Sequence, residues 1–129
     1  MATNVLVVDD NRDIREMLQL RLELWGYAVR TASDGQQALD SVAHELPDIV
    51  LLDMALPMVD GFQVARTLRS QPASLHLPII ALTALGLPGD KARCLGSGCT
   101  DYLAKPFSLD ALRGRIEDLV RSSNGKHAA

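Results

Sequence analysis

Five polar residues stand where hydrophobic runs of the sequence end. "VLVV" leads into Asp9 and Asp10, "IVLL" into Asp53, "IIAL" into Thr83, and "YLA" into Lys105, which Pro106 follows. Taken singly, each has an ordinary use. Asp9 and Asp10 suit a turn or a helix cap, Asp53 the turn before Pro57, Thr83 a strand end and Lys105 a solvated surface. Taken together, they repeat one position: the carboxyl end of a buried run. Three carboxylates in one crevice repel each other, and burial strengthens the repulsion. A hard divalent cation with oxygen ligands, as Mg2+ is, resolves that conflict and keeps the acids charged. Asp9 and Asp10 then form a metal seat that serves Asp53. A carboxylate so placed can attack phosphorus and become an aspartyl phosphate. Such a transfer depends on positioning and on charge stabilisation. Lys105 would pair with one phosphoryl oxygen and the Thr83 hydroxyl would donate to another.

For these residues to meet, the runs before them must be neighbouring strands of one orientation. Strands are expected at Val5–Val8, Tyr27–Thr31, Ile49–Leu52, Ile79–Leu82 and Asp101–Ala104. Between them the apolar spacing changes to that of helices. Asp13 to Trp25 carries Ile14, Leu18, Leu22 and Trp25 on one stripe, and Gly26 stops it. Gly35 to Glu45 turns Ala38, Val42 and Leu46 inward before Pro47, and Phe62 to Arg69 offers Phe62, Ala65 and Leu68 before the Gln71-Pro72 turn. A shorter helix, Lys91 to Leu95, lies among Gly86, Pro88, Gly89, Gly96 and Gly98. Ser108 caps a last helix bearing Leu109, Leu112, Ile116 and Val120. Strand and helix alternating five times imply an α/β fold, a parallel sheet with helices on both faces. Right-handed crossovers bring all the strand ends to one edge.

The chain of 129 residues is the size of one domain, and 47% of it is apolar. We place the domain at residues 1–121 and expect a disordered tail from residue 122 to 129, where the chain turns small and polar. A formal charge of −3 and the lack of a Lys/Arg run argue against direct contact with nucleic acid. Charged or polar residues cut every apolar run short of a membrane span, and no signal peptide is expected, so the reading is cytoplasmic. Cys94 and Cys99 lack zinc-ligand spacing and read as free thiols of a reducing compartment. His44, His76 and His127 are scattered and read as surface residues. Met17, Leu20 and Leu24 form a second apolar stripe on the first helix, open to two readings: packing on the last helix, or docking of a partner.

The sequence resembles the receiver domain of two-component response regulators, the chemotaxis regulators among them. The resemblance is carried by "VLVVDDN", by "DIVLLDMALPMVDGFQVARTLR" with Asp53, Pro57 and Gly61, by "PIIALTA", and by "GCTDYLAKPF" with Tyr102, Lys105 and Pro106. It runs from about Asn4 to Val120, and it implies a flavodoxin-like, doubly wound, five-stranded sheet of order 2-1-3-4-5. It implies further that Asp53 is the phosphoacceptor, Asp10 a direct Mg2+ ligand, Asp9 a ligand through water, and the Ala55 carbonyl a further ligand. Thr83 and Tyr102 become a switch pair, and the Lys105-Pro106 bond is expected to be cis. The family often has Met where this chain has Leu56.

The function implied is a phosphorylation-controlled signalling switch rather than an enzyme. It would take its phosphoryl group from a phosphohistidine of a sensor kinase or a histidine phosphotransfer protein, then bind a downstream protein differently. With Ala55 and Leu85 beside the approach to the phosphoryl group, no polar side chain there can hold a water, so slow loss of the group is expected. Two other readings compete. A dehalogenase-type phosphatase also uses an Asp nucleophile, but wants D-x-D where this chain has Asp9-Asp10-Asn11. A degenerate receiver used only for interaction would not keep all five polar residues. A single-domain regulator, a relay intermediate, and a segment of a larger regulator or hybrid kinase all share these features.

Overall fold

The β-branched and aliphatic runs become five strands: β1 (Asn4–Val8), β2 (Ala28–Ala32), β3 (Ile49–Asp53), β4 (Ile79–Thr83) and β5 (Asp101–Ala104). The computed structural model describes residues 2–84 and 88–128, with side chains described through residue 122. All neighbouring strands are parallel, and their order is β2-β1-β3-β4-β5. This is the doubly wound sheet expected, with the order reversing between β1 and β3.

The helices are α1 (Arg12–Leu24), α2 (Gly35–His44), α3 (Gly61–Arg69), α4 (Asp90–Gly96) and α5 (Leu109–Ala128). Side-chain caps start four of them. Asn11 accepts from the Ile14 amide, Asp34 from Gln37, and Ser108 from Ala111. Asp60 and Gln63 form a reciprocal capping box on α3. Alternate strand residues feed two cores. Val5, Val7, Ile49, Leu51, Ile80 and Leu82 pack with Leu18 and Leu22 of α1 and Leu112 and Ile116 of α5. On the other face, Leu6, Val8, Val50, Leu52, Ile79 and Ala81 pack with α2 and α3, and Cys94 of α4 and Cys99 join them. Both cysteines are free.

The structure corrects two expectations. Leu46 is exposed rather than inward, because α2 ends at His44 and the extended backbone at Glu45 turns the chain away from the core. Met17, Leu20 and Leu24 are exposed as well, so the stripe does not pack on α5; Leu18 and Leu22, about four-tenths of a turn round, share the core cluster of Leu112 and Ile116 of α5. The α5 backbone is helical to Ala128. No proline interrupts this segment, and the poor propensity of Ser, Asn and Gly is only a weak prior. His44 and His76 are exposed as expected, while the side chain of His127 lies outside the described residues. A single 3-10 turn, Pro72–Ser74, replaces the simple turn expected after α3.

The far end of the sheet is tied by Arg69. Its Nε donates to the Gly98 carbonyl at 2.8 Å, Nη1 to the Ser74 carbonyl at 2.9 Å and Nη2 to the Thr100 hydroxyl at 3.3 Å. Burial lowers the pKa of this guanidinium. Gly98 has φ +114°, and a Cβ there would lie 2.5 Å from Arg69 Cγ, so the corner requires glycine. Nearer the helix middle, the Arg93 guanidinium stacks over the Phe62 ring at 3.8 Å, joining α4 to α3.

Candidate functional site

The parallel register sets Asp53 and Thr83 as the last residues of β3 and β4, with Asp9 and Asp10 just beyond β1 and Lys105 just beyond β5. Carboxylate oxygens of Asp9, Asp10 and Asp53 lie within 4.8 Å of one another. Asp9 is 1% exposed and Asp53 5%, whereas Asp10 faces solvent. The loop beyond β3 is pulled tight over this edge. Gly61 opens α3 against the strand end, where a Cβ would lie 2.5 Å from Met54 Cα and 2.7 Å from the Asp53 carbonyl oxygen. Its amide donates to the Met54 carbonyl at 3.2 Å. Between these anchors Met58 takes φ +62° with its side chain 89% exposed.

Hydrogen bonds fix the two buried acids. Asp9 Oδ1 accepts from the Asn11 amide at 2.9 Å and Oδ2 from Lys105 Nζ at 3.2 Å. The same ammonium is 3.8 Å from Asp53 Oδ1, which also accepts from the Ala55 amide at 3.1 Å. Burial pushes the Asp53 carboxyl above the ordinary carboxylate range. The Ala55 amide and the Lys105 ammonium pull it down, and the charges of Asp9 and Asp10 push it up again. The Lys105 amide donates to the Thr83 carbonyl at 2.6 Å, and the Lys105-Pro106 bond is cis, as expected.

Thr83 pairs with Ala104 and Ala81 with Tyr102 across β4 and β5. Paired residues of parallel strands share a face, so Thr83 and Tyr102 lie on the same side, two pairs apart along the strands. Tyr102 is half-buried against the core beneath α3 and α4. Leu85, expected beside the phosphoryl approach, lies outside the described residues; Ala55 is exposed at its edge.

Three oxygen-only acids, two of them buried, fit a hard divalent cation such as Mg2+. Sequence reasoning missed Arg15, whose Nη1 donates to the Asp9 carbonyl at 2.9 Å. Its spacing of four from Asn11 puts it one turn into α1, on the side of the helix start, and that was the signal available.

Known proteins carry the same arrangement. Residues 5–117 match the response regulator receiver domain family. The response regulator MprA of Mycobacterium bovis is 42% identical over 129 residues, which cover all of this chain and 55% of that protein. The chain thus spans about half the length of that relative. The chemotaxis protein CheY4 of Vibrio cholerae superposes with a TM-score of 0.87 at 32% identity, covering 92% of this chain and 99% of the other. The receiver domain of the sensor histidine kinase PA1611 of Pseudomonas aeruginosa, solved with a magnesium ion in its active-site cleft, gives a TM-score of 0.86 at 37% identity, over 93% of this chain and 98% of that one. The doubly wound sheet, the acid trio at its switch point and these relatives lead to one conclusion: this chain belongs to the receiver-domain family of response regulators, the phosphorylation-controlled switches of two-component signalling.

Proposed function

We propose that residues 1–121 form the receiver unit and that Asp53 is its phosphoacceptor. The observation that carries this reading is the setting of Asp53: a buried carboxylate with an ammonium 3.8 Å away and two further acids whose oxygens lie within 4.8 Å. A carboxylate oxygen of Asp53 attacks the phosphorus of a phosphohistidine, on a sensor kinase or a histidine phosphotransfer protein. The P–N bond breaks, its electron pair goes to the imidazole, and the imidazole takes a proton. Asp9, Asp10, Asp53 and the Ala55 carbonyl would hold Mg2+, which would supply charge neutralisation for the incoming phosphoryl oxygens. Lys105 pairs with one of those oxygens, and the Thr83 hydroxyl donates to another. Thr83 turning toward the phosphoryl group vacates space that Tyr102, on the same face, can fill. That exchange links Asp53 to the α4–β5 surface, where a downstream protein binds; no nucleic acid and no membrane is contacted directly. The free thiols Cys94 and Cys99 suit a cytoplasmic site of action. Loss of the phosphoryl group is slow, because Ala55 cannot position a water.

Acetyl phosphate with Mg2+, followed by phosphate-affinity electrophoresis, tests the assignment. One acid-resistant, base-labile adduct on the wild type and none on Asp53→Asn is expected. Labelling of Asp53→Asn at the wild-type level overturns it, and steady phosphate release from monoesters would favour a phosphatase instead.

A further inference from the structure

Asp10 is the exposed member of the acid trio, so packing does little to hold its carboxylate. Its direction depends on the backbone that carries it, and that backbone is held at each step. The Asp9 amide donates to the Ala32 carbonyl of β2 at 3.2 Å. The Asp9 carbonyl, which belongs to the peptide joining Asp9 to Asp10, accepts from Arg15 Nη1 at 2.9 Å. The Arg15 amide donates to the Asn11 carbonyl at 3.0 Å, so the guanidinium reaches out from the first turns of a capped helix. Among the described residues Arg15 is in no ion pair, although three carboxylates cluster close by. A cation placed to neutralise acids would pair with one of them. This one is spent on a carbonyl oxygen instead.

We propose that Arg15 is a positioning residue for the metal seat: it fixes the Asp9–Asp10 peptide plane and thereby aims the Asp10 carboxylate at the cation. The inference rests on the reading of Asp9, Asp10 and Asp53 as a divalent seat. Arginine suits the role because its planar, weakly hydrated fork stays charged and holds a fixed direction, where a lysine ammonium does not.

The sign of the effect separates positioning from electrostatics. A guanidinium beside a divalent site repels the ion, so removing it for charge reasons alone tightens binding. Removing an orienting contact from behind a ligand weakens metal affinity, by about tenfold or more. The experiment is a Mg2+ titration of wild type, Arg15→Met, Arg15→Gln and Arg15→Lys, followed by NMR shifts of the Asp10 and Ala55 amides, with melting of the metal-free proteins alongside. Arg15→Met and Arg15→Gln are both neutral and both suit a helix, so either can carry the test if the other fails to fold. Affinity about tenfold weaker in the neutral variants, part recovery in Arg15→Lys and little change in metal-free melting support the proposal. Affinity equal to or tighter than wild type in a folded neutral variant overturns it. A wild type whose Asp10 and Ala55 amides do not respond to Mg2+ overturns the seat itself, and the proposal with it.

Discussion

Replacing Lys105 with Met should move metal-free stability and metal affinity in opposite directions. The ammonium sits 3.2 Å from Asp9 Oδ2 and 3.8 Å from Asp53 Oδ1, with its side chain only 22% exposed. At an effective dielectric constant of about 20, charges at these separations attract by about 4–5 kcal/mol each. Much of that offsets the desolvation of two buried carboxylates, and a fully buried pair broken by losing one partner costs about 3–5 kcal/mol. The partial exposure of Lys105 lowers the expected loss to about 2–3 kcal/mol. For a domain of this length that is a fall in Tm of about 8–12 °C without metal. Methionine keeps the length of the side chain, so little of the change comes from lost packing. With the ammonium gone, its charge no longer competes with a divalent ion for Asp9 and Asp53. Mg2+ should bind about tenfold more tightly and restore most of the melting temperature. Thermal melting with and without Mg2+, together with calorimetric titration, reads both quantities. An unchanged metal-free Tm, or weaker Mg2+ binding than wild type, would refute the view that Lys105 stands in for part of the metal's charge.

Burial raises the folded-state pKa of Asp53 above its unfolded value, so the stability linked to its protonated form is fully present below about pH 4 and is lost as pH rises through the raised value. Asp53→Asn has no charge to bury. Without metal it should melt above wild type at pH 7, with the gap closing in acid, and a lower Tm at pH 7 would contradict this account. Met58 holds φ +62° with its side chain 89% exposed, so Met58→Gly removes a left-handed penalty of about 1–2 kcal/mol at an entropic cost of about 0.5–1 kcal/mol. Urea melts should show the variant more stable by about 0.5–1 kcal/mol, and a loss of stability would show the loop is held by that side chain. Labelled phosphoprotein freed of donor should decay over minutes or longer, and Ala55→Asn/Leu85→Glu should decay faster. Decay of the wild type within seconds would remove the shielding role of those two side chains.

The chemistry of this protein is legible in its sequence because parallel strands convert position along the chain into position in space. A residue that ends an apolar run must stand at one edge of the sheet, so Asp9, Asp10, Asp53, Thr83 and Lys105 could be gathered there before any coordinates. The cores were legible for the same reason: Leu18 and Leu22, or Leu112 and Ile116, follow helical spacing closely. Spacing does not show where a stripe ends. Leu46 falls one residue beyond the cap at Glu45 and loses its face, and Met17, Leu20 and Leu24 keep their spacing yet stay exposed. Lys105 was read as a partner for a phosphoryl oxygen. Its shorter contact here, to Asp9, depends on side-chain rotamers that no pattern encodes. Arg15 escaped notice because its partner is a carbonyl, and every residue has one.

The clamp that Arg69 makes on the Gly98 corner would make that corner the pivot of any tilt of α4, with the Arg93 stack on Phe62 carried along. Three donor contacts hold the Ser74, Gly98 and Thr100 side, while the opposite end starts at Gly89 with φ +92° and no side-chain cap. The seven residues of the helix measure about 10 Å. A tilt of about 10° about Gly98 therefore sweeps the Asp90 end through about 2 Å and leaves Ser97 almost still. A binding protein that gripped the Asp90 end would read such a rotation at high gain, whereas one that gripped the Ser97 end would read next to nothing.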